Sequence, residues 1–184
     1  MSTKASACLL SLLLLPMLAG CGSPSQSVNM SVAQADALQL RGFMPEALRG
    51  QVTMALTSGG EMTSSWWGSS VSSVALDHAL EDSLRSVGLW AMNPQAARYQ
   101  LQAQLLSLVQ PAVGLDMTVS ATVHYTLTDR NSGELIYQRS VRTTHRTEFG
   151  EAMLSPSERL RLANEGAIRQ TIDLMLRDLP NLGL

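Results

Sequence analysis

Three features of the sequence predict an α+β fold: a two-layer sandwich of a mainly antiparallel sheet with two helices packed on one face. Residues 117–128 alternate strictly between Met117, Val119, Ala121, Val123, Tyr125, Leu127 and Thr118, Ser120, Thr122, His124, Thr126, Thr128. A period of two gives a strand with one dry and one hydroxyl-rich face. Apolar residues recur at helical spacing from about residue 73 to 87 and again from 156 to 179. The predicted order is strand, helix, three strands, helix, and a dry sheet face needs helices to cover it.

The first twenty residues read as an address. Lys4 is a short positive start, and the run from Ala5 to Leu15 is apolar. That run is shorter than the ~20 apolar residues of a permanent membrane helix. It reads as a secretory signal. Leu18-Ala19-Gly20-Cys21 follows and resembles the bacterial lipobox. The resemblance implies signal-peptidase recognition of Leu18, Ala19 and Gly20, with S-diacylglycerol and N-acyl groups, such as palmitate, on Cys21. Acyl chains contribute about 0.8 kcal/mol per buried methylene, so several together anchor stably. Gly22, where that family often carries Asp for inner-membrane retention, implies the outer membrane, with the domain facing the periplasm. Cys8 leaves with the signal, so the mature chain has no thiol for a disulfide or a cysteine-based metal site. Lys4 is the only lysine; the mature chain sets 12 Arg against 15 acidic residues, a net charge of −3. That balance argues against nucleic acid as a partner.

Residues 21–49 read as the lipidated cysteine, a Ser-rich tether and an irregular lead-in, with the folded domain expected from 50 to 184. Gln51–Thr57 alternates, with Val52, Met54 and Leu56 on one face, and predicts the first strand. A polar loop containing Gly59-Gly60 and Trp66-Trp67 follows. Ser72 or Ser73 suits the N-cap of the first helix, and Gly88 its left-handed stop. In Tyr99–Val109 the residues Tyr99, Leu101, Ala103 and Leu105 oppose Gln100, Gln102 and Gln104. Asp129–Glu134 predicts a hairpin loop with Gly133 at positive φ, returning through Leu135 to about Thr147 with Leu135, Tyr137 and Val141 inward. Ser155-Pro156-Ser157-Glu158 predicts a capped helix start with a capping box, and Pro180 its stop.

The lipobox, the Gly-Gly…Trp loop, Ala79-Leu80-Glu81-Asp82-Ser83-Leu84 running to Gly88-Leu89, the long Thr/Val strand and the Arg-rich closing helix together resemble small proteobacterial outer-membrane lipoproteins. The architecture is similar to that of the YajG-type and envelope-transport auxiliary lipoproteins. The resemblance implies a non-enzymatic binding or accessory module in envelope assembly or transport, with a membrane and an envelope protein as partners.

The residues themselves offer little chemistry. His78 sits on a charged helix face, and His124 and His145 take opposite parities on the predicted hairpin, so the last two share no metal. There is no Gly-x-Ser-x-Gly elbow and no phosphate-loop motif. No catalytic residue, cofactor or metal is therefore expected. An envelope enzyme acting on lipid or cell wall, with a site assembled from distant residues, and a lipid carrier with a deep apolar cavity are the alternatives. The candidate partner contacts are Trp66, Trp67, Arg142 and Arg146. Adjacent tryptophans in an extended segment point to opposite sides: either one caps the core and the other covers the helix start, or one packs on the domain while the other is a binding hot spot or a contact with a membrane surface. Arg142 and Arg146 share the outer strand face, where they are either solvated or meet an acidic partner.

Replacing the acceptor thiol, Cys21→Ser, is expected to move the protein from the detergent phase to the aqueous phase of a detergent phase separation. Wild-type protein partitioning into water would overturn the lipobox reading.

Overall fold

The computed structural model describes residues 24–57, 71–111 and 114–184. The signal region, Cys21 and the Trp66-Trp67 pair lie outside the described residues. The elements are α1 (Ser27–Met30), α2 (Gln34–Arg41), β1 (Val52–Met54), α3 (Ser73–Ser86), β2 (Tyr99–Val109), β3 (Met117–Asp129), β4 (Leu135–Thr147) and α4 (Pro156–Asp178). The strands form one sheet in the order β1-β2-β3-β4. β2, β3 and β4 pair antiparallel, whereas β1 runs parallel to β2 because α3 crosses over between them. The helices cover one face of the sheet, as predicted.

The alternation in β3 sets this arrangement. Val119, Ala121, Val123 and Tyr125 are all fully buried, opposed across the layer by Ala163, Ala167, Ile168 and Ile172 of α4. Hydrogen bonds fix the docking. Thr143 Oγ1 donates to the Ala167 carbonyl at 2.7 Å, and the Tyr125 hydroxyl meets Thr171 Oγ1 at 2.9 Å. At the far end of α4, Tyr137 donates to Asp178 at 2.6 Å. Burial, then the neighbouring carboxylate, pushes the Tyr137 phenol pKa well up. Each such bond contributes about 1 kcal/mol net, so their main effect is to choose the register of helix on sheet.

The caps follow the sequence closely. Ser72 accepts from Ala75 N, and Ser155 accepts from Glu158 N. Gly88 and Gly133 take φ of 79° and 75°. Asp129 Oδ1 accepts from Asn131 N and Ser132 N and so closes the hairpin loop. Glu158 departs from expectation. Its carboxylate pairs with Arg161 instead of reaching back to the cap, and the reciprocal capping box forms at Glu148 and Glu151.

Three further expectations are corrected. The lead-in is not irregular: Met30, Val32, Ala37, Leu40, Met44 and Leu48 are buried in the core, so packing begins at Ser25 rather than at residue 50. Buried Glu165 of α4 is the reason. It accepts from Gln26 N at 2.6 Å and Asn29 Nδ2 at 3.0 Å while paired to Arg161 at 2.6 Å. Arg169 adds a bond to the Asn29 carbonyl. β1 is shorter than expected because its ladder with β2 ends at Met54 opposite Leu101, and Leu56 is 87% exposed. Leu135 is exposed, not inward, because the β3–β4 register shifts between Leu127 and Thr128.

The face assignment gives a direct test. Val123→Asp places a carboxylate among apolar side chains and is expected to cost about 3 kcal/mol or more, against under about 1 kcal/mol for Thr122→Asp on the other face. Equal shifts in melting temperature would overturn it.

Candidate partner-binding face

Among the described residues, none covers the sheet face away from the helices. β2 contributes Gln102 and Gln104, β3 contributes Thr118, Ser120, Thr122, His124 and Thr126, and β4 contributes Gln138, Ser140, Arg142, Thr144 and Arg146. The β4 residues are all exposed, whereas most of the β3 residues are half-buried between flanking strands. Cross-strand bonds order this surface. Ser120 and Thr144 hydroxyls meet at 2.8 Å. His124 Nδ1 meets Ser140 Oγ at 2.8 Å, and Gln138 Nε2 reaches His124 Nε2 at 3.1 Å. With the amide donating to Nε2, the Nδ1–H is left to donate to Ser140. The result is a pre-organised polar ladder that offers hydroxyls and amides to a partner without loose side chains.

The predicted contact residues differ in their placement. Arg142 stands opposite Thr122 and has no ion-pair partner among the described residues. Arg146 shares its face but forms an ion pair with Asp116. A backbone bond from Phe149 and then Arg146 hold the Asp116 carboxyl below its ordinary range. Arg139 pairs with Asp178 and belongs to the α4 docking instead. Trp66 and Trp67 lie outside the described residues. Among the described residues, Arg142 is thus the cation of this face without an ion-pair partner.

The two hairpin histidines point to opposite faces, as their parity requires: His124 is opposite Ser140 and His145 opposite Val119. His145 packs onto Gly166 of α4, where a Cβ would fall 2.2 Å from the ring. Burial, then Arg169, lowers the His145 pKa. His78 is exposed on α3. Among the described residues no group of three or more His, Cys, Asp or Glu could hold a metal. Sequence reasoning missed Gly166 and Glu165. A glycine and an adjacent acid between Ala163 and Ala167 on the apolar stripe of the helix were the available signals.

No protein-family model matches the chain, and no curated protein does. Solved structures share the fold. Protein XCC0632 from Xanthomonas campestris, of family DUF330, is 12% identical over 76% of this chain and 91% of its own, with a TM-score of 0.56. A presumed lipoprotein from Caulobacter crescentus CB15 is 14% identical over 78% and 93%, with a TM-score of 0.52. At these identities the likeness is one of architecture.

Gly166→Ala is expected to cost about 1–3 kcal/mol by overpacking His145, and His145→Ala in the same chain should recover much of it. Melting curves of the single and double variants check this. Because the folded-state pKa of His145 is depressed, its contribution to stability is present above the ordinary histidine value of 6.5 and lost as pH falls below it. No loss over that range beyond that of the His145→Ala variant would contradict the depressed value.

Proposed function

We propose that this protein is an outer-membrane-anchored periplasmic lipoprotein whose domain binds another envelope component without catalysing a reaction. The observation that carries the reading is the outer face of the sheet, which no described residue covers. Two strands of thirteen residues display an ordered polar surface with Arg142, which has no ion-pair partner among the described residues. Monomeric sheets with one solvated face are common. Here that face follows Leu18-Ala19-Gly20-Cys21, which would confine the domain to a membrane surface and raise the local concentration of any membrane-associated partner. The Caulobacter crescentus structure, a presumed lipoprotein with this architecture, supports the anchored reading. Arg142 suits an acidic partner, because a guanidinium can grip a carboxylate in a bidentate fork.

In intact cells, a photo-crosslinking side chain at Thr144 or Gln102 is expected to yield a discrete protein adduct, while the same group at exposed Leu38 or His78 in the helix layer yields none. Arg142→Ala should weaken the adduct, by about 2 kcal/mol if the side chain is a hot spot. Adducts from the helix layer alone, or from neither layer, would overturn the choice of face.

A further inference from the structure

We infer that the end of the domain carrying Leu115, Phe149, Met153 and Leu154 rests on the lipid surface that holds Cys21. The inference depends on the lipidated reading above. Its first ground is where the N-terminal segment leads. That segment runs alongside α4 in the same direction: Gln26 bonds Glu165, Asn29 bonds Glu165 and Arg169, and Asp36 pairs with Arg177. Traced backwards from Gln26, the chain therefore heads toward the start of α4. Five residues separate Gln26 from Cys21 and span at most about 17 Å when extended. Nine helical residues separate Glu165 from Pro156, a rise of about 14 Å. Thus the acylated cysteine can reach the level of the α4 start and cannot reach far beyond it.

The second ground is what stands there. The ends of β2 and β4 and the beginnings of β3 and α4 converge at this pole. Exposed there are Val109 (59%), Leu115 (72%), Phe149 (38%), Met153 (60%) and Leu154 (98%). Apolar side chains gathered on one end of a soluble domain mark a contact surface. The turn that presents them is built, not slack. Arg159 of α4, itself buried, donates to the Ala152 carbonyl at 2.5 Å and lies 4.9 Å from the centre of the Phe149 ring. Phe149 N donates to Asp116 at 2.9 Å, and Glu148 and Glu151 close a capping box. A guanidinium under the turn and paired carboxylates around it hold Met153 and Leu154 outward. Such a rim fits a bilayer interface: the carboxylates stay among the headgroups, while the two apolar side chains reach the acyl boundary.

The opposite pole also exposes apolar side chains, Met92 (93%) and Leu135 (52%), so it is the course of the N-terminal segment that tells the two ends apart. The hairpin loop at residues 130–134 and the turn around Met92 lie there, with Arg130 bonded to the Pro94 and Ala97 carbonyls. The outer sheet face then stands roughly perpendicular to the membrane and open along its length to a partner.

The mature chain has no other free thiol, so one nitroxide can be placed uniquely. The lipidated full chain carrying Leu154→Cys or Met92→Cys is labelled and reconstituted into phosphatidylethanolamine–phosphatidylglycerol vesicles. Relaxation by a water-soluble nickel chelate and by oxygen is then compared. Both sites are more than nine-tenths exposed, so neither change threatens folding. At residue 154 the nickel effect should fall severalfold relative to residue 92 while the oxygen effect rises. Equal nickel effects at the two sites would overturn the inference, as would shielding of residue 154 from both relaxants, which means contact with protein. Vesicle flotation and the mass of the N-terminal peptide are read on the same samples. Protein that does not float, or lacks the acyl mass, overturns the lipidated reading itself and is thereby distinguished from failure of the orientation.

Discussion

Everything in this domain follows from the dry face of β3. Five consecutive inward positions, from Val119 to Leu127, are at most 1% exposed. A strand of that kind at the centre of a sheet must be covered, because its apolar area contributes about 25 cal/mol per Å² only when water is excluded. α4 lies across β3 and β4, and α3 closes the side toward β1. The small residues Ala163, Gly166 and Ala167 on α4 let the helix approach closely enough for Thr143 and His145 to touch it. The parallel placement of β1 follows in turn, since α3 must lie on the covered side between two strands of one sheet.

The second organising feature is Glu165. A buried carboxylate is costly unless paired, and this one has Arg161 together with two donors from the N-terminal segment. Much of its value is positional. Apolar packing of Met30 and Val32 would tolerate sliding along α3 and α4, whereas a carboxylate with fixed donors selects one placement. The same contacts determine where the chain leaves the domain on its way to Cys21. A feature internal to the fold therefore controls how the domain would meet a membrane.

The candidate binding face is the other consequence of the alternation in β3. Every residue of β3 that makes one side dry leaves a neighbour on the wet side, where its hydroxyls and one imidazole lie between the amides of β2 and Gln138, Arg142 and Arg146 of β4. β4 forms a long edge, and an edge of that length invites pairing with other chains. Arg139, Arg142 and Arg146 spaced along it place charge where indiscriminate pairing would otherwise begin.

Local chemistry in the sequence determined the strands β2, β3 and β4, both long helices, the caps at Ser72 and Ser155, and the opposite facing of His124 and His145. Each depends on periods of two or 3.6 and on turn residues, which act over a few positions. Tertiary structure alone decided the parallel pairing of β1, the truncation of that strand before Leu56, and the pairing that takes Arg146 to Asp116 while leaving Arg142 without an ion-pair partner among the described residues. It also decided that residues 25–49 join the core. Their apolar positions are too sparse for a helical period to show, and α1 is only four residues long. Such short helices are marginal on their own and form because tertiary contacts hold them. The contacts that hold them, from Glu165 and Arg169, lie some 140 residues further along the chain.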